Sequence, residues 1–245
     1  MTPEKLDEYG PLVAHLGEVL AKSVIFWKTR GMRKRDRVRL PALRKIISTI
    51  QQRHNEAKQH ELEHYQRVYN VVLFVLLIDH DIAVLSRYFA LGYRTWERKF
   101  AARQLAVLLY EVSKDLPELL GGEFRKSLMT LPLRDGAKLE LNHITKLLDE
   151  FKSKNGPFLK AIRLLVGAHR DHDAAKQLEV IEAIDPISVY KMAADFYDCI
   201  NPLISFLAKT TELMTNPHTT MNHLLETPEF RALLSSNVLP HSNRP

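Results

Sequence analysis

The densest group of reactive side chains lies at residues 169–173, which read His-Arg-Asp-His-Asp. Two imidazoles, two carboxylates and a guanidinium can together bind a phosphate and transfer protons near neutral pH. Arg163 precedes them as the only charge in the apolar stretch between Lys160 and His169. A buried guanidinium needs an acidic partner, backbone carbonyls or an anionic ligand. The segment therefore predicts either a site for a phosphate-bearing ligand or a structural ion pair.

Two further groups of residues have the spacing of metal ligands. Residues 60–64 read HELEH, the spacing that places two zinc-binding imidazoles on one face of a helix. Their charged and polar neighbours favour a solvated helix face instead. The His-Asp pairs at 80–81 and 172–173 are the second group, and His169, His172 and Asp173 share the i, i+3, i+4 spacing of one helix face. A metal-dependent hydrolase is therefore an alternative, whereas the preferred prediction includes no metal or other cofactor.

Positive charge is concentrated in residues 28–45, which hold nine basic side chains and one acidic side chain. This basic segment carries a net charge of +8, whereas the whole chain carries +6. Such density favours contact with phosphates through attraction and counterion release, although a solvated basic loop has the same composition. The candidate phosphate contacts are Arg33, Lys34, Arg35, Arg37, Arg39 and, beyond the basic segment, Arg170.

The elements that must position these residues are predicted to be helices. The 245 residues are 45% hydrophobic and contain only nine glycines and twelve prolines. No alternating strand pattern recurs, and Cys199 is the only cysteine, which excludes an internal disulfide. Helical periodicity predicts long helices over 68–91, 105–116, 141–151 and 189–207, with the third ended by Asn155-Gly156-Pro157 and Arg163 on the next helix. The predicted fold is an all-α bundle of long antiparallel helices.

We predict three regions along the chain. Residues 1–64 would form an N-terminal helical extension that includes the basic segment, residues 65–215 the helical bundle, and residues 216–245 a partly ordered C-terminal tail. The N-terminus lacks the pattern of a secretory signal, and the most apolar run, 71–78, is far below the roughly 20 residues that span a bilayer. A cytoplasmic protein without a membrane segment is therefore expected.

The pairing of Arg163 with His169, with five residues between them and late in a helical bundle, resembles the HEPN superfamily. Its motif is an arginine, four to six residues and a histidine. The surroundings are similar to HEPN members associated with abortive infection and toxin systems, over roughly residues 65–210. The resemblance implies a homodimer, an RNA substrate and an antitoxin or defence-system partner. It also implies a metal-independent ribonuclease in which Arg163 contacts the phosphate and His169, supported by His172, transfers protons.

The residue after the motif arginine favours a non-catalytic alternative. It is Leu164, whereas active members often carry a polar residue there. A helical dimerisation or interaction protein, which binds through the basic segment, is therefore the second hypothesis. A straight helix would also place Arg163 and His169 about 120° apart. The pair can meet only if the helix breaks near Gly167 or if a second subunit contributes.

Overall fold

The computed structural model describes residues 37–91, 94–131, 136–164 and 173–215, and within these ranges the chain forms seven helices and no strand. They are α1 (residues 37–59), α2 (Glu63–Leu91), α3 (Thr95–Leu119), α4 (Gly122–Met129), α5 (Ala137–Ile162), α6 (Ala174–Ala183) and α7 (Pro186–Thr215). The prediction of an all-α bundle is confirmed. The predicted tail, 216–245, lies outside the described residues.

The core lies between α2, α3, α5 and α7, which contact one another most extensively. Each contributes an apolar stripe at helical spacing, and burial of large side chains stabilises the bundle by roughly 1.5–3 kcal/mol per side chain. Ion pairs show that α5 and α7 run antiparallel: Lys154 pairs with Asp195, and Lys209, further along α7, pairs with Glu140 near the start of α5. The largest fully buried side chains include Ile82, Leu105, Leu109, Leu116, Leu141, Ile144, Leu148, Phe196 and Phe206.

Helix α1 packs against the bundle and reverses direction into α2. It ends in a Schellman motif in which Leu62 N donates to Ala57 O at 2.8 Å and Glu61 N donates to Lys58 O at 3.2 Å. Glu61 occupies the left-handed position of this motif with φ 56°, where glycine or asparagine is usual. The side chains of Leu40, Leu43, Ile50 and Ala57 are buried. The division of the chain at residue 64 stays a prediction.

The predicted break at Asn155-Gly156-Pro157 is wrong, because α5 continues through it from Ala137 to Ile162. Asn155 is buried, and its Nδ2 donates to the carbonyl of Phe151 at 3.3 Å. Phe151, Asn155, Leu159 and Ile162 form one buried stripe on the helix. Tertiary packing of this stripe outweighs the local preference of glycine and proline to end a helix. Arg163 therefore follows directly on the end of α5 and does not lie on a separate helix.

The predicted helix over 68–91 is confirmed as α2, which begins at Glu63, includes the buried Asp79 and continues to Leu91. Residues 174–183 form α6, which the periodicity did not indicate, and none of its side chains is fully buried.

Helix α2 is long and apolar enough to cross a membrane by length and composition, with a mean hydropathy of 1.9 over its apolar window. Half of this window is buried within the bundle. Core helices of soluble proteins have the same length and composition.

Candidate functional site

Arg163 lies where α5 ends, and it makes an ion pair with Glu111 on α3. Its Nε donates to Glu111 Oε1, and its guanidinium lies 5.6 Å from the ring centroid of Tyr110. The side chains of Arg163 and Glu111 are 25% and 33% exposed. The carboxylate of Glu111 compensates the charge of Arg163, as expected for a structural ion pair. Part of the Arg163 side chain is also accessible to solvent, as a site for a phosphate-bearing ligand requires.

The regular α-helical backbone ends just before Arg163. The helix widens into a π turn at Arg163 and Leu164, a local feature that is frequent at functional sites. The side chain of Leu164 is 45% exposed. The regular helix thus ends at Ile162, five residues before Gly167, near which a break was one of the two ways for Arg163 and His169 to meet. Gly167 itself lies outside the described residues, as do His169, Arg170 and His172.

Asp173 is the one member of the charged cluster that the structure describes. It caps α6: its Oδ1 accepts hydrogen bonds from the backbone nitrogens of Ala175 at 3.0 Å and Lys176 at 3.1 Å. Its ψ of 96° is that of extended backbone. The alternative in which His169, His172 and Asp173 bind a metal from one helix face stays a prediction, because His169 and His172 lie outside the described residues. Aspartate at an N-cap stabilises a helix by about 1 kcal/mol.

The HELEH residues do not form a zinc-binding helix. His60 and Glu61 lie in the turn after α1, whereas Glu63 and His64 begin α2. The motif requires both imidazoles on one face of a continuous helix, and the Schellman motif at Glu61 interrupts it. His64 Nδ1 lies 3.4 Å from Ser127 Oγ on α4. Within the described ranges, no three His, Cys, Asp or Glu side chains are grouped as metal ligands.

The His-Asp pair at 80–81 has an arginine as its neighbour. His80 Nδ1 lies 3.2 Å from Asp81 Oδ1, and Arg44 Nε donates to His80 Nε2 at 3.3 Å. A protonated Nδ1 fits both contacts, since Nε2 is then the acceptor. The imidazole nitrogen that a metal would need thus faces a cation from α1.

Arg37 and Arg39 are the candidate phosphate contacts that the structure describes; Arg33, Lys34 and Arg35 lie outside. Arg37 is exposed on α1. Arg39 makes an ion pair with the buried Asp79, and Tyr197 donates a hydrogen bond to the same carboxylate oxygen at 2.9 Å. Burial, followed by the charge of Asp79, raises the pKa of Tyr197 to about 12. Arg39 therefore joins α1 to α2 and α7, whatever it contributes to binding.

Sequence reasoning missed an exposed aromatic groove between α1, α2 and α3. Tyr88, Trp96 and Phe100 line it and are 68%, 57% and 56% exposed. Leu40 and Arg44 contribute the α1 side of the groove. The aromatic residues Tyr88, Phe89 and Trp96 were the sequence feature that could have indicated the groove. Aromatic residues at helical spacing, however, are as consistent with a core as with a surface. Only the packing of the three helices shows that these rings face solvent.

Comparisons with known proteins give no relative for this chain: no family model, no curated protein and no solved structure matches it.

Proposed function

We propose that this chain is a HEPN-like helical protein that binds RNA and cleaves it without a metal ion, as a cytoplasmic homodimer of a defence or toxin system. The observation that carries the proposal is the placement of Arg163. A carboxylate holds its Nε while, among the described residues, no hydrogen-bond partner is assigned to its two terminal nitrogens. A guanidinium held in this way presents a fixed pair of donors to a phosphate.

The proposed chemistry divides three roles among three side chains. One imidazole, of His169 or His172, takes the proton of the ribose 2′-hydroxyl, whose oxygen attacks the adjacent phosphorus. The other imidazole gives a proton to the departing 5′-oxygen, which leaves a 2′,3′-cyclic phosphate. Arg163 stabilises the negative charge that accumulates on the phosphate oxygens in between. Glu111 is a positioning residue, because it acts on the guanidinium and not on the RNA.

The test is cleavage of a labelled RNA in EDTA by the wild type and by Arg163→Ala and His169→Ala. We expect each substitution to slow cleavage by about a hundredfold or more, the usual range for a charge-stabilising or proton-transferring group. Arg67→Ala is the matched control, since Arg67 also pairs with a glutamate, Glu123, on the surface of the bundle. Equal cleavage by wild type and His169→Ala, or cleavage by neither, contradicts the catalytic proposal.

A second candidate function is a non-catalytic helical interaction protein. The ion pair itself favours it, because Glu111 neutralises Arg163 and the ring of Tyr110 packs against the guanidinium. These contacts explain an arginine in an apolar stretch without a ligand. The exposed Leu164 beside it is consistent with a surface that binds a partner.

Nucleic-acid binding distinguishes the two candidates. If the second holds, neutralising Arg33, Lys34, Arg35 and Arg37 together abolishes RNA binding at moderate salt, whereas Arg163→Ala leaves the affinity within about twofold. If the first holds, Arg163→Ala weakens binding as well as cleavage. Fluorescence anisotropy of a labelled RNA, measured at two salt concentrations, gives both affinities.

A further inference from the structure

The aromatic groove between α1, α2 and α3 has no role in the proposed cleavage. Its volume is about 1,010 Å³, and its apolar wall is formed by Leu40, Val84, Tyr88, Trp96 and Phe100. Three large aromatic rings that are each more than half exposed are unusual in one groove, because their burial elsewhere would stabilise the fold. The groove therefore has the features of a binding surface.

Positive charge borders the rings. Arg44 and Arg87 line the groove, and Arg87 is exposed on α2. Among the described residues of the lining, Glu97 is the only acidic side chain, and it accepts a hydrogen bond from the backbone nitrogen of Arg94 as part of the cap of α3. The described part of the lining thus carries net positive charge. Helix α1 forms one side of the groove, and its residues 37–45 belong to the basic segment. This combination is complementary to an anionic ligand that has apolar flat groups.

The aromatic and basic side chains continue along α3 towards Arg163. Trp96, Phe100, Arg103 and Tyr110 are spaced i, i+4, i+7 and i+14, which places them on one helix face. Arg103 lies over the ring of Phe100 at 5.2 Å, and Arg163 lies over the ring of Tyr110 at 5.6 Å. From Trp96 to Tyr110 the helix rises about 21 Å. One face of α3 therefore presents rings and guanidinium groups between the groove and the ion pair of Arg163.

We propose that the groove binds unpaired nucleobases, so that a single strand of RNA enters at Trp96 and Phe100 and runs along α3 to Arg163. This inference rests on the proposed RNA binding and names the strand state that the protein selects. Bases stack on exposed aromatic rings with little regard to sequence, and arginines beside the rings contact the phosphates. Duplex RNA does not fit the groove in this way, because its bases are stacked on one another and its wide minor groove offers hydroxyls rather than ring faces.

The chain offers an internal reporter for this test. It contains two tryptophans, Trp27 and Trp96, so Trp27→Phe leaves Trp96 as the only one. We expect a single-stranded RNA of about 12 nucleotides to quench its fluorescence saturably, and the matching duplex to do so much more weakly. Phe100→Ala in this background is expected to weaken single-strand binding by about tenfold. Phe158→Ala is the matched control, because Phe158 is an exposed phenylalanine on α5.

The outcomes separate the groove from the cleavage site. One outcome is that anisotropy shows RNA binding, that the fluorescence of Trp96 does not change, and that Phe100→Ala binds equally well. This outcome overturns the proposed binding of RNA in the groove but is compatible with RNA binding elsewhere on the protein. A second outcome is that single-stranded RNA binds, that binding requires Phe100, and that the wild type does not cleave the RNA. This outcome supports the groove as the binding site and overturns the proposed ribonuclease activity. Trp96 fluorescence that changes with protein concentration alone, together with self-association in sedimentation, shows an interface between copies of the chain and also overturns the proposal.

Discussion

Among the described residues, two arginine–carboxylate pairs have a tyrosine ring against the guanidinium, and their environments differ. Asp79, the partner of Arg39, has a side chain that is 8% exposed and accepts a second hydrogen bond from Tyr197. Glu111, the partner of Arg163, is 33% exposed, and Tyr110 contacts the guanidinium through its ring. Both groups consist of the same residue types. Burial of the carboxylate makes the first a structural link, although Arg39 itself is 46% exposed. The carboxylate of the second pair is accessible to solvent, and Arg163 of this pair is the residue that we propose contacts a phosphate.

The largest expected effect on stability at neutral pH comes from breaking the pair whose carboxylate is buried. Arg39→Ala leaves Asp79 charged and buried with Tyr197 as its remaining donor, so we expect the free energy of unfolding to fall by about 2 kcal/mol. Arg163→Ala removes a partly exposed pair and is expected to lower it by less than about 1 kcal/mol. Urea denaturation of both variants measures the difference. A larger loss for Arg163→Ala would reverse the assignment of the structural role.

A second effect, which is confined to high pH, is expected from Tyr197. Its pKa is raised to about 12 in the folded protein, above the value near 10 of an unfolded chain. The folded state therefore retains a proton that the unfolded state loses, and stability decreases as the pH rises from about 10 to about 12. Tyr197→Phe removes this titration, so the free energy of unfolding should decrease less steeply with pH, by a slope that corresponds to about one proton. Unfolding free energies of wild type and variant at several pH values give the comparison, and parallel curves would contradict it.

The smallest effect concerns the accessible pair. Glu111→Gln keeps the shape of the side chain but removes the negative charge beside Arg163, so we expect RNA to bind about two- to fivefold more tightly at low salt. Screening should reduce the gain at higher salt. Glu123→Gln is the control, because Glu123 pairs with Arg67. Anisotropy titrations that show weaker or unchanged binding of Glu111→Gln would indicate that Arg163 does not contact the RNA.

Much of the fold was predictable from local pattern. Apolar residues at helical spacing indicated the long helices that became α2, α3, α5 and α7, because each must bury one face against the others. The errors fell where local and tertiary preferences conflict. Gly156 and Pro157 favour a helix end locally, but the buried residues on either side keep α5 continuous. Conversely, Glu61 is not a typical helix terminator, yet α1 ends there in a left-handed turn.

Less of the candidate site was predictable. The sequence singled out Arg163 because a charge in an apolar stretch needs a partner, but it could not name Glu111, which lies 52 residues earlier in the chain. It treated Asp173 as a potential metal ligand, although its position before an alanine-rich helix start is also that of an N-cap. The aromatic groove was not anticipated, since exposure of a ring depends on which helices pack beside it.

The sequence by itself determined the helical class, the concentration of positive charge in the basic segment and the need of Arg163 for a compensating group. These follow from composition, periodicity and the cost of burying a charge, which are local properties of the chain. Only the tertiary structure decided that Asp79 is buried and Glu111 accessible, that HELEH spans a turn, and that Tyr88, Trp96 and Phe100 share a groove. The physical reason is that partners and exposure are set by contacts between residues far apart in the chain, which spacing along the chain does not encode.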